Sequence, residues 1–172
     1  MTSEAGESNP LTIDGTGGGQ IAFNDTVGSG PGQALGAMII STTTGITATS
    51  SINAASFTQS AGTGTTSLQE LTVTGAVNIA VTTADILLND QVTAPAGFSS
   101  TGTVAGSDFT NSGTITTTDT DITINHTGVT TIGAALESGT GDIAIGNTTN
   151  GTIELSVADP TYVAQTTGGN IT

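Results

Sequence analysis

Short runs in which every second residue is apolar recur along the whole chain. Leu11-Thr12-Ile13, Ile21-Ala22-Phe23, Leu71-Thr72-Val73, Val77-Asn78-Ile79-Ala80-Val81, Ile122-Thr123-Ile124, Ile143-Ala144-Ile145 and Ile153-Glu154-Leu155-Ser156-Val157 all alternate in this way. A period of two places successive side chains on opposite faces of an extended strand, and β-branched residues dominate the apolar positions. Gly, Asn, Asp and Ser separate the runs, as turns require. No segment sustains a helical period, and the abundant Thr and Gly are poor helix formers. The pattern predicts an all-β chain.

One motif repeats: a short polar residue, Ile, any residue, an apolar residue, then Asn or a near substitute. It appears as Gln20-Ile21-Ala22-Phe23-Asn24, Asp85-Ile86-Leu87-Leu88-Asn89, Asp121-Ile122-Thr123-Ile124-Asn125 and Asp142-Ile143-Ala144-Ile145-Gly146, and begins again at Asn170-Ile171. The intervals between the Ile anchors are 65, 36, 21 and 28 residues. With a winding of roughly 18–22 residues they read as three turns, two turns, one turn, and one turn with an insertion. The expected architecture is a parallel β-helix, or β-solenoid, over residues 11–172, with residues 1–10 as a polar N-terminal tail. The array reads as a segment of a longer one or as a subunit that stacks head to tail into a filament. Inward Ile and its i+2 partner would line a narrow lumen, and Asn24, Asn89 and Asn125 would form side-chain ladders at the corners. The alternative is an antiparallel β-sandwich, for which Asn150-Gly151 would be a hairpin turn.

Composition narrows the function. The 172 residues include no Lys, no Arg and 14 acidic residues, for a formal net charge of −14. Nucleic-acid binding needs cations to displace phosphate counterions, and an anionic membrane surface would repel this chain. Ion pairs are limited to His126 and the terminal amine, so backbone hydrogen bonds and apolar packing must carry stability. Trypsin-like proteases find no cleavage site. There is no Cys, hence no disulfide. No stretch approaches the roughly 18–20 apolar residues of a membrane helix. Residues 1–8 lack the basic and apolar regions of a signal peptide, so export would depend on a segment outside them.

The segments Ile124-Asn125-His126-Thr127-Gly128-Val129-Thr130-Thr131-Ile132-Gly133-Ala134-Ala135-Leu136, Gly139-Thr140-Gly141-Asp142-Ile143 and Gly168-Gly169-Asn170-Ile171-Thr172 resemble the β-strand repeats of giant bacterial surface proteins, the filamentous-haemagglutinin-like and autotransporter-like exoproteins. The resemblance runs from about residue 11 to residue 172 and is one of repeat style. It implies a right-handed parallel β-helix, export to the cell surface, and a role in adhesion, coating or filament formation. It brings no catalytic residue with it.

Candidate chemistry is sparse. Asp119 and Asp121 lie two apart on an expected strand and share a face, and Asp85 and Asp142 are expected to align with Asp121 on successive turns. As a general acid/base pair they would suit glycoside hydrolysis. The more conservative readings are solvated polar positions, or a calcium site relieving stacked like charge. Calcium is the one cofactor the sequence admits. His126 stands alone, without converging ligands, and reads as a corner or surface residue of the repeat. Asn24, Asn125, Asn147, Asn150 and Asn170 begin N-glycosylation acceptor patterns. Thr42-Thr43-Thr44 and Thr114 to Thr120 supply the residue type of an ice-binding face without its strict spacing. With one Tyr, four Phe and no Trp, a carbohydrate-binding platform has few aromatics to use.

The function expected from these readings is that of a non-enzymatic extracellular structural module of an adhesin, fibre or coat. Its partners would be neighbouring repeats or further copies of itself, and glycans or a cell surface. A carbohydrate-binding module and an ice-binding solenoid are the alternatives.

Overall fold

A computed structural model describes the chain apart from residues 3, 16, 17, 30, 31, 42, 82–84, 147–151 and 157–163. Among the described residues there are nineteen strands and no helix. Every pairing between these strands is parallel. Parallel neighbours cannot be joined by hairpins, so each strand must pair with one from the next winding. The result is a β-solenoid of about six turns. This excludes the antiparallel sandwich; Asn150-Gly151 lies outside the described residues.

Two sheets form the wall. The smaller holds seven strands: Gln20–Phe23, Gly45–Ala48, Thr66–Leu68, Ile86–Leu88, Phe109–Asn111, Val129–Ile132 and Thr152–Leu155. The larger holds twelve and forks at the long strand Ile52–Gln59. The first half of that strand pairs with Leu71–Val73 and its second half with Val77–Val81. From there two limbs climb the solenoid, so most windings carry three short strands around one lumen.

Period-two patterning sets which residues face inward. In Ile122–Asn125 the Ile residues are buried and Thr123 and Asn125 are half-buried. The inward positions then stack into columns. One runs Leu11, Met38, Phe57, Val77, Phe98, Ile122, Ile143, Ile171. A second runs Val27, Ile52, Leu71, Val92, Ile115, Leu136, Ala164. A third, in the smaller sheet, runs Ile21, Ile46, Thr66, Ile86, Phe109, Thr130, Ile153. Phe98 and Phe109 meet across the lumen edge to face, with ring centroids 6.3 Å apart. Each fully buried large side chain contributes roughly 1.5–3 kcal/mol of apolar stabilisation.

The register revises the reading of the anchors. Ile21 and Ile86 do lie three windings apart in one column. Ile122, Ile143 and Ile171 do lie on successive windings. The 36-residue step from Ile86 to Ile122 is not two turns, because it crosses from the smaller sheet to the larger. The same short motif begins strands on two sides of the winding, and spacing alone cannot say which.

Residues 1–10 are exposed where described, yet they are tied to the first windings by backbone bonds. The amides of Gly28 and Gly36 donate to the carbonyls of Met1 and Asn9, and that of Gly6 donates to Gly32.

Candidate functional site

The polar groups of this solenoid fall into three sets: carboxylates at the corners, hydroxyls in the outward rows, and a buried cluster around His126.

The carboxylates join one winding to the next. Asp121 Oδ1 accepts the backbone N–H of Asp142 at 2.9 Å, and Asp142 Oδ1 accepts that of Asn170 at 2.6 Å. Asp119 Oδ1 accepts both the N–H and the hydroxyl of Thr140, at 3.0 and 3.1 Å. On the other sheet Asp85 Oδ1 accepts the N–H of Asp108 at 3.1 Å, and Asp108 Oδ1 accepts that of Val129 at 2.6 Å. Asp121 and Asp142 therefore align as expected, whereas Asp85 aligns with Asp108 and not with Asp121. Charge-assisted bonds of this kind offset the repulsion of stacked acids. Among the described residues no three carboxylates or histidines are grouped to hold a metal ion. Asp108 was legible in principle: it precedes an apolar strand start as Asp85 does, but with Phe109 where the motif has Ile.

The expected asparagine ladder does not form. Asn24 and Asn89 share a column, but Thr49 and Gln69 separate them, and Asn125 sits in a different sheet beside Thr101 and Gly146. Asn89 Nδ2 instead donates to Ser67 Oγ and the Leu68 carbonyl. Hydroxyls close the corners: Thr117 donates to the Thr120 carbonyl at 2.5 Å and Ser138 to the Gly141 carbonyl at 2.6 Å. One asparagine does serve inside the wall. Asn111, fully buried, donates to the carbonyls of Gly113 and Ala134.

The Thr runs are divided between interior and surface. Thr43 is buried and donates to Gly19 and Gly45 carbonyls, and Thr120 donates to the Pro95 carbonyl; Thr42 lies outside the described residues. Thr72, Thr93 and Thr116 form one outward row on successive windings. On the neighbouring limb Asn78, Ser99 and Thr123 form another. Beside that second row runs an open groove of about 440 Å³, floored by Ala76, Ala96 and Gly97 and walled by Asp119 and Asp121.

Of the two placements expected for His126, corner or surface, the structure keeps the corner and overturns the surface. His126 follows the strand Ile122–Asn125, but its side chain is 0 % exposed. Nε2 lies 2.9 Å from Ser100 Oγ and Nδ1 3.1 Å from Ser107 Oγ, and the ring packs on Phe109 at 5.4 Å between centroids. Burial lowers its pKa from 6.5 to about 4, against the opposing pull of a hydrogen bond to the Ser107 backbone and of the Asp108 and Asp85 charges. A Ser hydroxyl on an imidazole resembles an activated nucleophile, but Ser100 and Ser107 are both fully buried, so no substrate atom reaches them in this conformation. Ser100 and Ser107 escaped the sequence reading because nothing in their local pattern separates them from the many surface Ser and Thr.

The geometry defines a β-solenoid with its polar chemistry turned to holding windings together. Comparison with protein families, curated proteins and solved structures finds no match.

Proposed function

We propose that this chain is a non-enzymatic structural module, a β-solenoid rod displayed outside the cell as part of an adhesin, fibre or coat. The observation that carries the reading is the use of the carboxylates. Asp85, Asp108, Asp119, Asp121 and Asp142 each accept a backbone N–H of the following winding. Such a wall resists unwinding without ion pairs or disulfides, which suits a salt-variable and protease-rich exterior. The repeat style shared with filamentous-haemagglutinin-like exoproteins supports the same reading. In the last windings Ile153, Leu155 and Ile171 are exposed although their columns are otherwise mostly buried. A second copy stacked on this edge would cover them. The test is to couple the purified chain to beads and measure attachment to bacterial and epithelial cells, with negative-stain imaging alongside. Rods that mediate attachment support the proposal; compact particles that attach to nothing overturn it.

The groove supports a second reading, glycan binding. Asn78, Ser99 and Thr123 repeat at the spacing of parallel strands, about 4.8 Å, which is close to the length of one sugar ring. A glycan array separates the two: selective retention favours a binding module, and silence favours a purely structural rod.

A further inference from the structure

The lumen is apolar along most of its length but turns polar at His126, whose partners Ser100 and Ser107 are fully buried as well. Beside this cluster a loop leaves the wall. Thr103, Val104, Ala105 and Gly106 are exposed, and the chain returns to the interior at Ser107.

Three consecutive residues hold that loop from the next winding. His126 Nδ1 bonds the Ser107 hydroxyl at 3.1 Å. The Thr127 hydroxyl donates to the Val104 carbonyl. The Gly128 amide donates to the Ser107 carbonyl at 2.8 Å. The fit is close: a Cβ added at Gly102 would lie 2.5 Å from His126 Nδ1 and 2.0 Å from Ser107 Oγ. The imidazole is thus the wedge against which the loop seats.

We propose that His126 is an acid-sensitive latch: as a neutral ring it clamps the 103–107 loop to the solenoid, and on taking a proton it leaves the lumen and frees the loop. The physical reason lies in its neighbours. A neutral imidazole needs one acceptor and one donor, and two rotatable hydroxyls together with the Ser107 backbone supply them. Those hydroxyls can turn to accept from both N–H groups of an imidazolium, but they bring no compensating charge. The charged groups acting on the ring are Asp108, at the head of the Phe109–Asn111 strand, and Asp85, one winding earlier. Both already hold backbone N–H groups through Oδ1. From the strands on the other sides the ring meets Ser100, Phe109 and Gly102, none of them ionisable. A desolvated cation without a bonded counter-charge is unstable there.

The chain contains one histidine, so its ring signals are unambiguous. The experiment follows the ring by NMR and the amides by hydrogen exchange, from about pH 7 to about pH 3.5, spanning the usual histidine range. After correction for intrinsic exchange, the amides of Gly102, Ser107 and Asp108 should lose about tenfold or more of their protection as the ring protonates, while those of Ile52–Gln59 stay protected. In His126→Gln the loop's exchange should not change over that interval. A ring that protonates with the loop still protected overturns the proposal. So does loss of protection at the same pH in wild type and His126→Gln, which would assign the effect to Asp85 and Asp108. Ser107→Ala removes the ring's side-chain partner on the loop and leaves its backbone one, so loop exchange at neutral pH should rise part of the way toward the level wild type reaches in acid; unchanged exchange in that variant also overturns it.

Discussion

Asp121 and Asp142 occupy the same corner of successive windings, and the carboxylate of the first accepts the backbone N–H of the second at 2.9 Å. An amide oxygen at that place would keep an acceptor while removing both the charge assistance to the bond and the repulsion from neighbouring acids, two changes that oppose each other. Asp121→Asn should therefore keep stability within about 0.5 kcal/mol, while Asp121→Ala should lose about 1 kcal/mol. Urea denaturation of the three proteins checks this. Equal losses in both variants would mean that the charge itself matters at this corner.

Close winding-to-winding contact makes some glycines irreplaceable for steric reasons. A Cβ on Gly64 would lie 1.7 Å from the Thr44 carbonyl oxygen, a backbone atom that cannot swing away. Gly64→Ala is expected to cost about 3 kcal/mol through displacement of the wall. Gly19 has open space where a Cβ would sit, so Gly19→Ala should lie within about 0.5 kcal/mol of wild type. Thermal melts of the pair provide the measurement.

The buried histidine also sets a slope of global stability against pH. In the unfolded chain the ring titrates near 6.5, and in the folded chain near 4. Between these values the unfolded chain binds more protons, so stability is full above about pH 6.5 and falls as pH drops toward about 4. The loss from this one ring should reach about 3 kcal/mol. Wild type and His126→Gln share every other ionisable group. The difference between the two in urea midpoint at pH 7 and pH 4.5 isolates the histidine, and a constant difference would refute the assignment.

The acceptor patterns for N-glycosylation are not equivalent once folded. Asn24 is exposed at a corner, whereas Asn125 is half-buried with Oδ1 inside the wall. Asn147 and Asn150 lie outside the described residues. Secretion from a glycosylating host should modify Asn24 and leave Asn125 bare, as peptide mass spectrometry would read. A glycan on Asn125 would require the winding to be open when modification occurs.

Much of the fold is legible in the order of residues because the solenoid is built from local rules repeated. Alternation of Ile with Thr in stretches such as Ile122-Thr123-Ile124 determines that these segments are strands with one face inward. The 65- and 21-residue intervals correctly mark whole numbers of windings, since Ile21 and Ile86, and Ile122 and Ile143, share columns.

Only the tertiary structure decided the rest. Whether Asp85 aligns with Asp121 or with Asp108 depends on how many residues each corner consumes, and corners carry no periodic signal. The burial of His126 depends on Ser100, 26 residues earlier, and Ser107, 19 residues earlier, meeting it inside the lumen. Alternation is a property of neighbours along the chain, so sequence determines it. Register between windings is a property of neighbours across space, and it emerges only when the whole wall packs.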